Sequence, residues 1–275
     1  MSNITEHFEK ILDNTHRANP DAERMWDQRA AQFSFSQRED VSGFSESTTE
    51  LLTANGYLPG NSVLDIGGGA GRYALPFAKV ADFVTVSDIS AKMLEHARQN
   101  AEAAALGNLD YLKLDWNKAV IEGSDLAKAH DIAFASMVPS VRSRSGILKM
   151  IAAARKGCVI NQLIKSSDNV MDRLKSAAGI ASRYDMHNDR GTVQATFHIL
   201  WELSYNVQIS YHQYKNKSEL SEDEAVARYG GRFGMHKYLE DDREMNLAGM
   251  IGGMAVDKMI AVEEENVLAT IIWDV

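Results

Sequence analysis

The chain has 275 residues, of which 45% are hydrophobic and 24% are charged, as is typical of globular proteins. Its 29 basic and 38 acidic residues give a formal net charge of −9, which disfavours nucleic acid as a partner because phosphate binding relies on lysine and arginine. The single cysteine, Cys158, excludes an internal disulfide and a cysteine-ligated metal cluster. The polar N-terminus lacks a signal-peptide core and no apolar run approaches the ~18 residues of a membrane span, so we expect a cytoplasmic protein without a membrane partner.

Two helices are predicted ahead of the core, over residues 3–16 and 21–33, because an Asn-Pro pair interrupts any continuous helical pattern. In the second helix, Trp26, Arg29 and Phe33 are spaced to share one face. We interpret this helix as a lid over a ligand site. Packing on the core is the alternative interpretation for its two aromatic residues.

A glycine-rich turn follows the first predicted strand. The apolar run at residues 63–66 is typical of a buried strand, and it is followed at once by Gly67, Gly68, Gly69 and Gly71. Glycines permit positive φ and let a ligand lie against the backbone. A dinucleotide site would have the third glycine of a G-x-G-x-x-G pattern where this chain has an arginine, so the spacing disfavours that class of site.

Two later strands are each followed by a carboxylate. The β-branched run at residues 82–88 ends in Asp88, and the strand predicted at residues 109–114 is followed by Asp115 and Trp116. Because the carboxyl ends of parallel strands meet at one edge of a sheet, these acids are expected near the glycine turn.

An acid two residues before Gly-x-Gly-x-Gly, with acids at the next two strand ends, resembles the motifs of the class I S-adenosylmethionine-dependent methyltransferases. The resemblance covers about residues 62–140 and implies an α/β, Rossmann-like sheet of seven mostly parallel strands with helices on both faces. It implies that Asp88 accepts hydrogen bonds from both ribose hydroxyls, that Asp115 accepts one from the adenine amino group, and that Ile89 and Met93 flank the adenine. The cofactor-binding residues so implied are Asp65, Gly67, Gly68, Gly69, Gly71, Asp88, Ile89, Met93, Asp115, Trp116 and Ser136.

Two helices adjoin this predicted site. Ser90 is a plausible N-cap and Gly107 a plausible C′ residue for the helix after the second strand. The helix that the glycine turn opens is predicted to run to about Val80, with Tyr73 in its first turn on the substrate side.

The fourth strand, predicted at residues 131–135, leads into a loop at residues 136–140 that includes Met137. Such loops at the carboxyl edge of a sheet hold ligands and reacting groups. This loop departs from the Asn/Asp-Pro-Pro-Tyr signature of enzymes that methylate amino groups of DNA bases. The densest basic series follows, and its spacing favours the solvated face of a helix over a phosphate-binding patch; it comprises Arg142, Arg144, Lys149, Arg155 and Lys156.

About a hundred residues separate the fifth strand, predicted at residues 157–163, from the last, at 267–273. Helices are predicted over residues 168–181, 192–205 and 221–229, and a strand over 207–214. We interpret the insertion as a substrate cap on a single domain of residues 1–275, divided into a lid (1–40), a cofactor-binding core (41–165), a cap with the sixth strand (166–235) and a C-terminal helix and strand (236–275). Its substrate-side candidates are Tyr184, His187, His198 and Trp201.

The predicted function is methyl transfer from S-adenosyl-L-methionine to a small-molecule acceptor, with S-adenosyl-L-homocysteine as the product. Positioning the acceptor behind an activated methyl supplies most of the catalysis, and His198 is the candidate base if the acceptor must lose a proton. No catalytic metal is predicted, since the histidines show no ligand pair. An RNA methyltransferase, and a protein that binds S-adenosylmethionine for other chemistry, stay as alternatives.

Overall fold

Seven strands form one sheet in the computed structural model, which describes residues 3–15, 19–38, 42–179, 185, 187–235 and 246–275. The strands are β1 (Ser62–Ile66), β2 (Phe83–Asp88), β3 (Leu109–Lys113), β4 (His130–Ser136), β5 (Ala154–Asp168), β6 (Val207–Ser221) and β7 (Met259–Asp274). The helices are α1 (Asn3–Thr15), α2 (Ala22–Arg38), α3 (Phe44–Ala54), α4 (Ala74–Ala78), α5 (Ala91–Ala103), α6 (Arg144–Ala153), α7 (Asn169–Ala177), α8 (Arg190–Glu202), α9 (Glu222–Met235) and α10 (Leu247–Gly252).

The strand order is β3-β2-β1-β4-β5-β7-β6. Neighbours from β3 to β5 are all parallel, with β1 at the centre of that half between β2 and β4. Parallel strands are covered on both faces and so form nearly continuous apolar runs, as β1, β2 and β4 do. The predicted fold class, a mostly parallel seven-stranded sheet of Rossmann-like type, is confirmed.

The chain forms two compact units. The first contains residues 1–162, 190–212 and 268–275, and the second contains residues 163–189 and 213–267. The segment predicted as a substrate cap therefore contributes to both units, with α8 in the first and α7 and α9 in the second.

The core of the first unit consists of apolar side chains from the parallel strands and the helices beside them. Val63, Val84 and Phe134 from three strands pack with Phe77 of α4, and all four are fully buried. Phe77 and Phe134 lie edge to face, with ring centroids 4.9 Å apart, which is a favoured aromatic geometry. This core fixes the positions of β1, β2 and β4, whose carboxyl ends lie at the candidate site.

The second unit has its own core around α7, α9 and α10. Val170, Leu174 and Ile251 are buried there with Tyr229. The Tyr229 hydroxyl donates to Asp168 Oδ1 at 3.1 Å, and the same oxygen accepts from the first backbone N–H groups of α7. A buried tyrosine thereby gains a charged partner, as buried polar groups require.

Several predicted boundaries were wrong for identifiable reasons. Helix α5 ends at Ala103, and Ala105, not Gly107, adopts the left-handed conformation with φ 54°. Leu106 N donates to Ala101 O while Ala105 N donates to Glu102 O, which is the paired bonding of a Schellman motif. Leu106 also packs on the core, and this contact favours ending the helix two residues earlier than the glycine predicts.

Other elements differ from prediction in length. Helix α4 has only five residues, and β5 and β7 extend to 15 and 16 residues. In the described part of the chain, no helix has the length and apolar character that crossing a membrane requires.

Candidate cofactor site

The glycine turn leaves no room for side chains on its inner surface. Gly67, Gly69 and Gly71 have φ values of 64°, 57° and 91°, a region that favours glycine. A Cβ on Gly67 would lie 2.8 Å from a Val138 methyl, and one on Gly68 would lie 2.6 Å from Asp65 Oδ2. The turn is therefore pressed between the end of β1 and the loop after β4, and a ligand there would contact backbone.

Asp65 lies beneath this turn at 1% exposure. Among the described residues, its Oδ2 has no hydrogen-bond partner. Burial, together with the negative charge of Asp88, raises the pKa of Asp65 to about 8, although a backbone hydrogen bond from Ala74 opposes the shift. Asp65 is thus a protonated carboxyl group at neutral pH in the ligand-free chain.

Asp88 closes the other side of the turn. Its Oδ2 accepts from Gly69 N at 3.0 Å and its Oδ1 accepts from Ser90 N at 2.8 Å. Burial raises the pKa of Asp88, while these backbone hydrogen bonds act in the opposite direction. The backbone N–H of Ile89 acts on Asp88 in the same way, so of the roughly four acceptor positions of a carboxylate at least one stays available to a donor from a ligand.

The next strand end carries Asp115 and Trp116. Asp115 Oδ1 accepts from Asn117 N at 3.1 Å, and its Oδ2 lies 2.9 Å from Lys118 Nζ. Trp116 is 4% exposed, and its indole N–H has no hydrogen-bond partner within the described part of the chain. A buried donor of this kind is costly unless a ligand or water meets it.

The loop after β4 is held by β5. Ser136, the last residue of β4, pairs with Asn161, and Met137 N donates to the Asn161 carbonyl oxygen at 3.0 Å. Met137 has a φ of 57°, which is uncommon for a side chain of its kind. The Asn161 side chain is fully buried and donates from Nδ2 to Thr48 Oγ1 at 3.0 Å, whereas its Oδ1 has no partner among described residues.

These features fit S-adenosylmethionine. A ligand with an adenine, a ribose diol and a zwitterionic amino acid needs a close backbone approach, a carboxylate for the diol and several polar partners. The glycine turn, Asp88 and the buried atoms of Asp65 and Trp116 that have no partner among the described residues provide these groups at or after the ends of neighbouring strands. Asn161 adds a further such atom within β5, where it pairs with Ser136 at the end of β4. Ile89 and Met93, predicted to flank the adenine, follow Asp88 directly, and Met93 is buried in the first turn of α5.

Helix α2 packs along α5, next to this site. Its Trp26 and Phe33 rings lie 5.4 Å apart in an edge-to-face arrangement, as expected for residues on one helix face. Both rings and Arg29 are partly exposed. Their role in a lid stays a prediction.

Tyr73, predicted on the substrate side, has its ring in the hydrophobic core. It is 6% exposed, and its ring centroid lies 4.9 Å from that of Phe134. The short α4 begins at the next residue, so Tyr73 occupies the N-cap position and its ring packs with the strands. The Tyr73 ring therefore packs in the hydrophobic core, and this position does not support a contact with the acceptor.

His198 lies between α1 and α8 in the first unit. Its ring centroid is 4.3 Å from that of Phe8, and its Nε2 is 3.3 Å from Glu202 Oε1. The same Glu202 oxygen accepts a hydrogen bond from the Thr5 hydroxyl. Glu202 would stabilise a protonated imidazole, and the ring also contributes to packing of the two helices.

The other acceptor-side candidates are dispersed. Trp201 is 61% exposed and stacks on Phe197 at 5.8 Å. His187 belongs to the second unit, where its Nδ1 lies 3.6 Å from Asp185. Tyr184 lies outside the described residues. Among the described residues, no group of three or more His, Cys, Asp or Glu side chains could hold a metal ion.

The basic series was assigned wrongly to one solvated helix face. Arg142 precedes α6 and is 5% exposed, while Arg155 and Lys156 lie in β5. Lys149 Nζ donates to the carbonyl oxygens of Trp116 and Asn117 at 2.9 and 2.8 Å. Basic side chains of this series contact other parts of the protein. These contacts depend on the tertiary structure, so the spacing of the residues in the sequence does not predict them.

Two residues of the site region were missed from the sequence. Asn161 is a polar residue inside an apolar strand run, and that interruption was a usable signal. Asp27 lies on α2 beside Trp26 and accepts a hydrogen bond from Ser90 at 2.6 Å. A contact between positions so far apart leaves no local pattern.

Comparison with known proteins gives partial matches. A family model described as "Methyltransferase domain" matches residues 63–157. A magnesium-protoporphyrin O-methyltransferase of Synechocystis sp. is 44% identical over 64 residues, which are 23% of this chain and only 28% of that protein.

Solved structures that match the chain have TM-scores just under 0.5 and low sequence identity. Magnesium protoporphyrin IX methyltransferase from Synechocystis PCC 6803 with bound SAH has a TM-score of 0.48 at 16% identity, covering 98% of this chain and 97% of that chain. Precorrin 8w decarboxylase from Methanobacterium thermoautotrophicum has a TM-score of 0.49 at 13% identity, covering 84% and 90%.

The matched domain contains the glycine turn, Asp88, Asp115 and the loop after β4, all at one edge of the sheet. Residues 63–157 therefore match a methyltransferase domain, and the motifs in this part of the chain resemble those of the class I S-adenosylmethionine-dependent methyltransferases.

Proposed function

We propose that the protein transfers the methyl group of S-adenosylmethionine to a small-molecule acceptor. The observation that carries the proposal is the position of Asp88 next to the glycine turn. Asp88 is the proposed acceptor for the ribose hydroxyls, and its Oδ2 accepts a 3.0 Å hydrogen bond from Gly69 N in the turn. The 64-residue match to a magnesium-protoporphyrin O-methyltransferase supports a small acceptor.

The chain's own residues would hold the cofactor in defined ways. Asp88 would accept the ribose hydroxyls with the lone pairs that its backbone donors leave available. Asp115 would accept from the adenine amino group, and Ile89 and Met93 would enclose the ring. When bound, the cofactor supplies an activated sulfonium methyl group, so the protein needs chiefly to align an acceptor lone pair behind it.

The acceptor would approach over the loop after β4. Val138 lies against Gly67, and the adjacent Met137 is fixed in its uncommon conformation by the hydrogen bond to Asn161. A rigid loop of this kind favours positioning as the main source of rate enhancement. His198, with Glu202 beside it, is the proposed base for an acceptor that must lose a proton.

Charge supports a small acceptor over RNA. The net charge is −9, and Lys149, Arg155 and Lys156 of the basic series form hydrogen bonds within the protein. A phosphate backbone would need several uncommitted cations along one surface.

The test has two stages. Calorimetric titration with S-adenosylhomocysteine should show saturable binding that is tighter than binding of NADH. Methyl transfer from labelled S-adenosylmethionine should then be assayed with a panel of small hydroxy, amino, thiol and carboxylate acceptors, including magnesium protoporphyrin IX, and with total RNA. Binding without transfer to any acceptor, or transfer to RNA alone, would contradict the proposal.

A further inference from the structure

A carboxylate on α2 lies beside the residues that hold Asp88. Asp27 Oδ1 accepts from the Ser90 hydroxyl at 2.6 Å and lies 3.4 Å from Lys92 N at the start of α5. Ser90 is fully buried, and its hydrogen bond lowers the pKa of Asp27. Asp27 is therefore ionised at neutral pH, and its bond to Ser90 is charge-assisted.

Ser90 connects Asp27 with Asp88, the proposed acceptor for the ribose hydroxyls. Its hydroxyl donates to Asp27 and accepts from Met93 N at 3.1 Å, so both hydroxyl roles are fixed. Its backbone N–H donates to Asp88 Oδ1 at 2.8 Å, and Asp88 Oδ2 accepts from Gly69 N at 3.0 Å. A continuous chain of hydrogen bonds thus runs from α2 to the glycine turn.

A second connection reaches the same turn from farther along α2. Asn100 Nδ2 lies 3.4 Å from Ser34 Oγ on α2 and donates to the Ala70 carbonyl oxygen at 3.0 Å. Ser34 is fully buried. Helix α2 is therefore linked through α5 to two successive residues of the turn, Gly69 and Ala70.

We propose that Asp27 is a positioning residue of the cofactor site, which orients Ser90 and, through it, the Asp88 carboxylate toward the ribose hydroxyls. The inference rests on the proposed S-adenosylmethionine site and deepens it, because α2 lies outside the matched domain of residues 63–157. Asp27 does not touch the cofactor in this arrangement. Its effect on affinity is transmitted by the Asp88 carboxylate.

A double-mutant cycle on the full-length chain tests this inference. S-adenosylhomocysteine affinity is measured by calorimetry for the wild type, Asp27→Ala, Asp88→Ala and the double variant. Asp27→Ala should weaken binding by roughly fivefold to tenfold, the size of one ordinary hydrogen bond, because the lost bond to Ser90 acts on the ligand only through Asp88. In the Asp88→Ala background the same change should alter affinity less than about twofold, because the residue that transmits the effect is absent.

Two further variants separate positioning from helix docking. Asp27→Asn keeps an acceptor oxygen for Ser90, so its affinity should stay within about threefold of wild type. Glu23→Gln removes a different charged contact of α2, the 2.5 Å pair with Lys113, and should leave affinity unchanged. The melting temperature of Asp27→Asn should match that of Glu23→Gln, since each change replaces a carboxylate by an amide of similar size on the partly exposed helix α2.

The outcomes are distinguishable. If the wild type does not bind S-adenosylhomocysteine, the proposed function and this inference both fail. If the wild type binds and Asp27→Ala binds equally well, only the inference fails. Equal losses from Asp27→Ala in the wild-type and Asp88→Ala backgrounds would also overturn it, because the effect would then not pass through Asp88.

Discussion

An aspartate at each of the two edges of the parallel sheet in the first unit has a very different set of hydrogen-bond partners. At the amino edge, Asp131 accepts from Ser62 N at 3.0 Å and Ser62 Oγ at 2.9 Å, and Arg155 Nε donates to it at 3.1 Å. At the carboxyl edge, Asp65 is 1% exposed and its Oδ2 has no partner among the residues described.

The pKa shifts follow from these environments. The hydrogen bond from Arg155 is the largest influence that lowers the pKa of Asp131, whereas burial is the largest that raises the pKa of Asp65. A satisfied carboxylate stabilises the connection between strands, and an unsatisfied one leaves hydrogen-bonding capacity for a ligand. The difference supports the proposed site, with structural contacts at the amino edge and ligand binding at the carboxyl edge.

The largest effect is expected from Asp88→Ala, which should weaken S-adenosylhomocysteine binding by roughly tenfold to a hundredfold. Two ribose hydroxyls would lose their charged acceptor and be left to water, and the expected loss is that of about one net hydrogen bond to a charged group, roughly 1.5–3 kcal/mol. Calorimetry measures the change. Unaltered affinity, with tight wild-type binding, would mean that the ribose lies elsewhere.

The second prediction concerns the pH dependence of stability. The folded-state pKa of Asp65, about 8, lies above its ordinary value near 4, so the folded chain binds a proton that the unfolded chain releases. The stability that Asp65 contributes is complete below pH 4 and is lost as pH rises toward 8. Over pH 5–7 the slope from this one proton is about 1.4 kcal/mol per pH unit.

Asp65→Asn should remove that slope, because an amide of similar shape does not titrate. Urea denaturation of the ligand-free wild type and variant at pH 5, 6 and 7 gives the comparison. Curves of stability against pH that run parallel would show that Asp65 is ionised in the folded chain and has partners that the structure does not assign.

The sequence predicts those parts of the site whose residues are consecutive or close together in the chain. The glycine turn at 67–71 and the acid that ends β2 form local patterns, and so do the alternating and β-branched runs that define strands. The position of Asp88 at the end of its strand is confirmed. Its ribose contact stays a prediction.

What could not be predicted depends on distant pairing. Ser62 and Asp131 are 69 positions apart, and nothing in either local sequence marks their hydrogen bond. Burial of Arg142 beside β4 and the left-handed Ala105 likewise depend on packing that is formed only in the folded chain. Tertiary contacts outweigh local preference at such positions.

A third prediction tests the amino edge. Asp131→Ala should lower the free energy of unfolding by about 2 kcal/mol, since it leaves Ser62 N and Arg155 without their acceptor, and should leave S-adenosylhomocysteine affinity unchanged. The Arg155 pair itself contributes less than about 1 kcal/mol because that side chain is 43% exposed.

Asp82→Ala is the matched control for this edge, because Asp82 is exposed just before β2. It should change stability by less than about 0.5 kcal/mol. A loss of cofactor affinity in Asp131→Ala, without a loss in the control, would contradict the division of roles between the two edges.

The smallest effect is expected at Asn161, which combines both kinds of environment in one side chain. Its Nδ2 donates to Thr48 Oγ1 while its Oδ1 has no partner in the described part of the chain. Thr48→Val should therefore cost about 1 kcal/mol in urea denaturation, because it leaves a buried donor unpaired. Thr49→Val, one position along α3, removes only a hydroxyl that donates to Ser45 O within the helix and should cost less than about 0.5 kcal/mol. Equal effects of the two changes would contradict the prediction, because they would show that the Asn161–Thr48 hydrogen bond contributes no more to stability than a hydroxyl bonded within the helix.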